Sequence, residues 1–99
     1  TFLIKNQVFL KVTDFVVNQN NNRYEIVGDV KNSTSFNVNY TKIIAEALDS
    51  DGNPVGLAYQ FASQKSLQVG DSSGFKITST SFIAQPPASW KLWAMARKE

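Results

Sequence analysis

The chain has 99 residues, of which 42% are hydrophobic, and its seven Phe, three Tyr and two Trp are enough for one small domain to bury its own core. Its ten basic and eight acidic residues are scattered singly, without the basic stripe that follows a phosphate backbone, so the charges argue against a nucleic-acid partner. The absence of Cys and His excludes disulfides, thiol chemistry and histidine bases.

This length predicts a single domain over residues 1–99. No apolar run reaches the roughly 18 residues of a transmembrane helix, and no basic-then-apolar leader is present, so we expect no integral membrane segment in this chain. The sequence begins at Thr1 and enters a strand-like pattern almost at once. We therefore expect a segment excised from a longer, exported protein.

The first predicted strand covers residues 7–17, where Val8, Leu10 and Val12 alternate with other side chains. The later apolar residues of this run fall out of phase with that alternation. The slip predicts a bulge near Asp14, a common way for a first strand to cross between two sheets.

A polar cluster at residues 18–22 predicts a loop. The next strand follows it, and polar residues 32–35, which readily bond to their own backbone, end that strand. One face of this strand is predicted to carry four residues: Tyr24, Ile26, Gly28 and Val30.

Residues 41–49 leave two structures open. Ile43, Ala45 and Ala47 alternate with charged side chains as in a strand, but the run also contains good helix formers. The Asp-Gly pair at residues 51–52 follows at once and is a strong hairpin signal. We therefore predict a strand closed by a turn.

The rest of the chain continues in short strands. Residues 55–61 alternate with period two, and residues 67–77 contain a glycine-rich turn before an apolar pair. Residues 78–81 are compatible with a strand, and the proline pair at 86–87 interrupts any regular strand. In residues 90–97 apolar side chains alternate again, which predicts a closing strand. This spacing predicts an all-β fold, an immunoglobulin-like antiparallel sandwich of about seven strands.

Three landmarks occur in order: a G-x-V-x-N run at residues 28–32, a D-x-D-G turn at 49–52, and a Leu-to-Phe run through glycine at 67–75. In order and spacing they resemble the FxLYD family of small bacterial and archaeal domains. Of the family's name-giving motif the chain keeps Asp49, and Val69 stands where proline is usual. The resemblance implies an immunoglobulin-like sandwich on exported or surface-attached proteins, with no activity assigned to the family.

Two short motifs match catalytic patterns. Residues 70–74 match G-x-S-x-G, but Ser72 lacks the histidine base that such hydrolases need. Ser73 and Lys76 match S-x-x-K, yet on a strand their side chains would point to opposite faces. We therefore predict no catalytic residue and no enzyme activity.

Residues 49–53 match the start of a calcium loop, but Gln60 stands where a closing glutamate is needed. A hairpin turn is the better interpretation, and we predict neither a metal nor a cofactor. Asn32 and Asn39 each begin an N-x-[S/T] sequon. Such triplets also arise by chance in a chain rich in Asn and Ser, so both explanations stay open.

Trp90 and Trp93 are three residues apart, so a regular strand presents them on opposite faces. Trp90 falls on the apolar face, whereas Trp93 shares its face with Met95 and basic residues. We predict a candidate binding surface formed by Trp93, Met95, Tyr59 and Tyr40. The alternative is that basic side-chain stems or a neighbouring domain cover Trp93.

These observations predict a non-catalytic module, extracellular or in the cell envelope of a prokaryote, that acts in protein interaction or as a spacer. The alternative is a carbohydrate-binding module in which Trp93, with Tyr59 or Tyr40, stacks on sugar rings. The expected partner is accordingly an unidentified protein or a glycan.

Overall fold

A computed structural model describes residues 7–20, 23–79 and 87–99 of the chain. They pair in one antiparallel sheet with the order β4-β3-β6-β1-β2-β5, which curls into a half-barrel. The all-β antiparallel prediction is confirmed, whereas a sandwich of seven strands is not confirmed. The described residues form six strands: β1 (Gln7–Asn20), β2 (Arg23–Lys31), β3 (Val38–Leu48), β4 (Pro54–Phe61), β5 (Ser72–Ser79) and β6 (Ser89–Lys98).

Strand β1 joins two halves of the sheet. Gln7 to Leu10 pair with β6, and from Lys11 onward the strand pairs with β2. The register shifts between Val12 and Asp14, which confirms the predicted bulge. Because one strand pairs with both neighbours, the two halves form a single sheet. We call β4, β3, β6 and the start of β1 the first half, and the rest of β1 with β2 and β5 the second half.

The predicted loop at residues 18–22 is wrong for its first three residues. Asn18 and Gln19 continue β1 and pair with Glu25 and Tyr24 of β2. Strand pairing satisfies the backbone whatever the side chain, and both of these side chains are exposed, so an apolar residue is not required here. Residues 21–22 lie outside the described part of the chain.

The core lies on the inner face of the curled sheet. Alternate residues of the strands point inwards, and burial of each large aliphatic side chain contributes about 1.5–3 kcal/mol. Partly buried hydrophobic residues, Trp90 and Leu92 among them, pack against this cluster. Its buried members are Leu10, Ile26, Val30, Val38, Ile43, Ala45, Ala62, Leu67, Phe75, Ile77, Ala94 and Ala96.

Strand β3 settles residues 41–49 in favour of a strand. On its inner face, Ile43 pairs with Ala94 of β6, and Ala45 pairs with Leu92. Each small side chain lies opposite a large one, as interdigitating layers of a closely packed interior require. The alanines that favour a helix in isolation are therefore accommodated here on the buried face of a strand.

Gly28 lies where two strands and an aromatic ring approach closely. A Cβ at this position would lie 2.8 Å from Cζ of Phe75 and would collide with the carbonyl oxygen of Asp14. Any side chain here would displace backbone at the bulge. Gly28 therefore has a structural role, because the close approach of backbone and ring at this position requires a residue without a side chain.

The hairpin turn after β3 is also confirmed. Gly52 has a φ of 83°, in the region that favours glycine. The carboxylate of Asp49 accepts hydrogen bonds from the backbone N–H groups of Asp51 and Asn53, both at 2.9 Å. This carboxylate therefore caps the turn.

The two edges of the sheet approach each other after β4. The N–H of Ser63 donates to the carbonyl oxygen of Gly74 at 2.9 Å, and the N–H of Gln64 donates to Oγ of Ser73 at 2.9 Å. These bonds hold the curl of the half-barrel. Residues 80–81 of the β-compatible run and Pro86 of the proline pair lie outside the described residues.

Candidate binding surface

The outer face of the first half carries the residues predicted as a binding surface. In β6, Trp93 and Met95 alternate with the buried Ala94 and Ala96, and both are half-buried on the face opposite the core. Trp90 packs against the core. The two tryptophans therefore lie on opposite faces, as their spacing predicts.

Cross-strand pairing brings a ring of β4 and a ring of β6 onto one row. Ile44 of β3 pairs with Trp93 on one side and with Tyr59 on the other. Strands lie about 4.8 Å apart, so the two aromatic residues are about 10 Å apart across Ile44. A second row of paired residues lies two positions along the same strands.

In that adjacent row, Lys42 of β3 pairs with Phe61 of β4 and with Met95 of β6. Met95 in turn pairs with Phe9 of β1. The row therefore crosses all four strands of the first half. Phe9 and Phe61 extend the surface beyond the four predicted residues.

Large hydrophobic side chains are unusually exposed on this face. Phe9 is 66% exposed and Tyr59 is 61% exposed. Contiguous apolar patches of this kind mark interaction sites more often than isolated exposed residues do. We call the set the aromatic face, and it consists of Phe9, Tyr40, Leu57, Tyr59 and Phe61 with the half-buried Ile44, Trp93 and Met95.

Tyr40 joins the aromatic face through an irregularity in β3. The pairing of β3 with β6 shifts register between Asn39 and Lys42, and Tyr40 has a φ of 54°. A non-glycine residue in this region costs on the order of 1–3 kcal/mol. Bulges re-aim side chains, and here the tyrosine is 56% exposed beside Arg97.

Cations lie over three rings of this face. Each such contact contributes about 0.5–1 kcal/mol at an exposed site. These cations form no ion pair within 4.0 Å among the described residues, where Lys76 and Glu25 of the second half do. The three ring contacts are Lys42 Nζ at 4.4 Å from the Tyr59 centroid, Lys65 Nζ at 4.9 Å from Phe61, and Arg97 Cζ at 5.9 Å from Tyr40.

A hollow of about 340 Å³ opens at one end of the aromatic face, and we call it the Tyr40 hollow. We call the apolar side chains of Phe61 and Met95 its floor; Ala96 also lines the hollow, but its side chain is buried on the inner face of the sheet. Its polar side chains are those of Tyr40, Lys42, Arg97 and Gln7, and Nε2 of Gln7 lies 3.5 Å from Sδ of Met95. The described residues that line it include two cations and no carboxylate.

The serine motifs lie in strand β5. Oγ of Ser73 is buried, accepts a hydrogen bond from the N–H of Gln64 and donates to the carbonyl oxygen of Gly74 at 3.0 Å. Lys76 lies on the opposite, exposed face and pairs with Glu25 at 3.4 Å. The strand interpretation of S-x-x-K is confirmed, and the absence of enzyme activity stays a prediction.

The side chain of Asn32, which begins the first sequon, makes hydrogen bonds within the folded domain. Asn32 is fully buried, and its Nδ2 donates to the carbonyl oxygens of Phe36 at 2.7 Å and Leu67 at 3.1 Å. Its Oδ1 accepts from the N–H and the hydroxyl of Thr34. The nitrogen that would carry a glycan is therefore occupied in the folded domain, whereas Asn39 is half-buried.

Within residues 7–20, 23–79 and 87–99, no three His, Cys, Asp or Glu side chains are grouped so that they could hold a metal ion. The same residues contain no helix that is long and apolar enough to cross a membrane. No family model matches the chain, and neither a curated protein nor a solved structure matches it significantly. Membership of the FxLYD family therefore stays a prediction.

Proposed function

We propose that the chain is a non-catalytic interaction module of an exported or cell-envelope protein of a prokaryote, and that the aromatic face binds a partner protein. The observation that carries this proposal is the convergence of exposed rings from β1, β4 and the β3 bulge on one outer face, beside the half-buried Trp93 of β6. The location and the complete immunoglobulin-like sandwich rest on the resemblance to the FxLYD family.

A protein partner is favoured because aliphatic side chains share the surface with the rings. Leu57 is 51% exposed, and Ile44 and Met95 lie among the aromatic residues. Aromatic residues, Met and Arg are enriched in protein interfaces. A stable interface buries about 800 Å² on each partner, which requires the whole face rather than Trp93 alone.

A carbohydrate-binding module is the second candidate. Tyr40 and Phe61 flank an open hollow, and an exposed ring can stack on a sugar. A glycan would need fewer of these side chains than a protein does. The exposed Leu57 and Phe9, which lie outside the hollow, would then have no role in binding.

Site-specific photocrosslinking in the native cell tests the proposal. We would replace Tyr59 of the full-length protein with p-benzoylphenylalanine and use Val16 as the control, because both positions are 61% exposed but lie on different halves. We expect a discrete protein adduct at position 59 that is weakened by Trp93→Ala, and none at position 16. Equal adducts at both positions, or no adduct at position 59, would contradict binding by the aromatic face and favour a spacer function.

A further inference from the structure

We propose that the Tyr40 hollow binds a carboxylate of the partner, so that the aromatic face recognises an acidic segment containing apolar side chains. This inference rests on the proposed function and names the chemistry of the partner. The observations behind it are the charges at the hollow, the conformation of Tyr40 and the apolar floor.

The charges at the hollow are of one sign. Lys42 and Arg97 line it, and no carboxylate of the described residues lies within 4.0 Å of either cation. Glu46 belongs to the same outer face, but it pairs with Leu57, four residues along β3 from Lys42. That separation is about 13 Å. Glu99 follows Arg97 by two residues and is exposed, but it forms no ion pair with Arg97 within 4.0 Å, so a negative group at the hollow meets two cations that no described carboxylate pairs with.

Tyr40 is held in the left-handed region beside this pair of cations. The residue that relieves this conformation is glycine, yet the chain carries a tyrosine that is 56% exposed. Strained residues cluster where binding needs a fixed side chain. Here the strain fixes a ring at the rim of the hollow, next to Arg97.

The floor of the hollow decides what kind of anion fits. Phe61 and Met95 are apolar, so a small inorganic anion would leave this surface in contact with water. A carboxylate that is accompanied by an apolar side chain covers the floor and reaches the cations together. Arg97 can accept such a carboxylate in a bidentate arrangement.

The surface around the hollow favours a polypeptide over an acidic glycan. From Lys42 the outer face continues along β3 to Ile44, and from there to Tyr59 and Trp93 on the neighbouring strands. A peptide can place one side chain in the hollow and further apolar side chains along that row. A uronic acid would use the hollow and its rings but would gain little from Ile44.

Three probe peptides test this inference on the isolated 99-residue chain. Each is an acetylated octapeptide in which Phe and Leu alternate with Glu, with Gln or with Lys, and polygalacturonate is a fourth probe. Binding is followed by amide chemical shifts in the ¹⁵N spectrum. We expect the Glu peptide to bind about tenfold more tightly than the Gln peptide, with shifts at Tyr40, Lys42 and Arg97.

Two double variants separate a local site from net charge. Lys42→Gln with Arg97→Gln should reduce the affinity for the Glu peptide to that for the Gln peptide. The matched control is Lys11→Gln with Lys31→Gln, because these exposed residues pair across β1 and β2 and the change in net charge is the same. The control should keep the preference for the Glu peptide.

Tyr40→Gly adds a test that does not depend on charge. It should weaken both the Glu and the Gln peptide while the urea midpoint of the chain stays unchanged or rises. An unchanged affinity would show that the ring is not part of the site and would overturn the proposal.

The other outcomes also decide the question. Equal binding of the Glu and Gln peptides on the aromatic face overturns the carboxylate site but leaves the proposed function in place. No saturable shift on this face with any peptide overturns both. Tighter binding of polygalacturonate than of the Glu peptide assigns the face to a glycan and overturns the inference. Chemical shifts that change with protein concentration in the absence of a probe assign the face to a second copy of the chain and overturn it as well.

Discussion

The two halves of the sheet share one core but have different outer faces. On the second half, Lys76 and Glu25 form an ion pair at 3.4 Å, and the exposed large apolar side chains of the described residues are Phe15, Val16 and Val27, with a single ring among them. On the first half, rings and aliphatic side chains are contiguous, and cations lie over the rings. Inward packing constrains alternate residues in both halves, so the difference lies in the residues that the core does not require.

This comparison teaches where stability and recognition reside. The second half is closely packed at the bulge of β1, where Gly28 leaves no space for a side chain. The first half places its irregularity at Tyr40, whose side chain is exposed on the outer face. Variants in the two halves should therefore separate into those that unfold the domain and those that change its binding.

The largest effect should come from Gly28→Val. Its side chain would collide with the carbonyl oxygen of Asp14 and with Phe75. Overpacking costs about 1–3 kcal/mol and occasionally more, and displaced backbone places this variant at the upper end, so we expect a loss of about 3 kcal/mol in the free energy of unfolding. Urea denaturation measures it.

Gly74→Val is the matched control for this change. Gly74 lies in β5, and the nearest atom to an added Cβ there is the carbonyl oxygen of Gly28 at 3.8 Å. Its urea midpoint should stay close to that of the parent. Equal midpoints for the two valine variants would show that the second half is not closely packed at the bulge.

The next effect compares Trp90→Ala with Trp93→Ala, two truncations in one strand. Trp90 packs on the core and against the ring of Tyr24, with centroids 5.6 Å apart. We expect Trp90→Ala to cost about 2–3 kcal/mol, somewhat below the about 3–5 kcal/mol of a fully buried site. Trp93→Ala should cost less than half as much. A larger loss at Trp93 would assign its ring to packing and remove the centre of the aromatic face.

Much of this fold could be predicted from local sequence. Alternation identified the strands, loss of phase located the bulge near Asp14, and the Asp-Gly pair located the turn at Gly52. The strand order could not be predicted, because alternation tells which residues share a face and not which strands are neighbours. β1 pairs with β6 through residues that lie between 84 (Leu10 with Ala94) and 90 (Gln7 with Arg97) positions apart along the chain, and no local pattern encodes these contacts.

The candidate site was predictable only in part for the same reason. The odd spacing of the tryptophans identified the outer face of β6, but Phe9 and Phe61 join it through strand pairing. In β4 the small Gly56 and Ala58 lie opposite the inner residues of β3, so the row of large residues faces outwards. The left-handed conformation of Tyr40 has no local sequence signal at all.

A smaller effect contrasts two buried hydroxyl groups. Oγ1 of Thr41, in the first half, has no hydrogen-bond partner among the described residues, whereas Oγ of Ser73, in the second half, both accepts and donates. Thr41→Val keeps the shape and removes the unpaired group, so we expect a gain of about 1 kcal/mol in the free energy of unfolding. Ser73→Ala leaves the N–H of Gln64 unpaired and should cost about 1–2 kcal/mol. Changes of the same sign would contradict this contrast.

The smallest effect on stability should come from Tyr40→Gly, and it bears most directly on function. Glycine relieves a strain of about 1–3 kcal/mol. Two effects of the substitution lower the free energy of unfolding. The greater entropy of the unfolded chain costs about 0.4–1 kcal/mol, and the loss of the exposed contact with Arg97 costs about 0.5–1 kcal/mol. At their middle values these terms leave a gain of roughly 0.5 kcal/mol, so we expect the free energy of unfolding to stay unchanged or to rise slightly.

Tyr59→Gly is the control for that balance, because Tyr59 is similarly exposed at 61% but lies in a regular part of β4. Glycine there relieves no strain, and it loses the preference of tyrosine for a strand together with the contact to Lys42, so the loss should exceed about 1 kcal/mol. If both variants lose stability equally in urea, the conformation of Tyr40 stores no strain. If Tyr40→Gly keeps its stability and Tyr59→Gly does not, the tyrosine at position 40 is retained at a cost to the fold, which is expected of a residue whose ring serves binding.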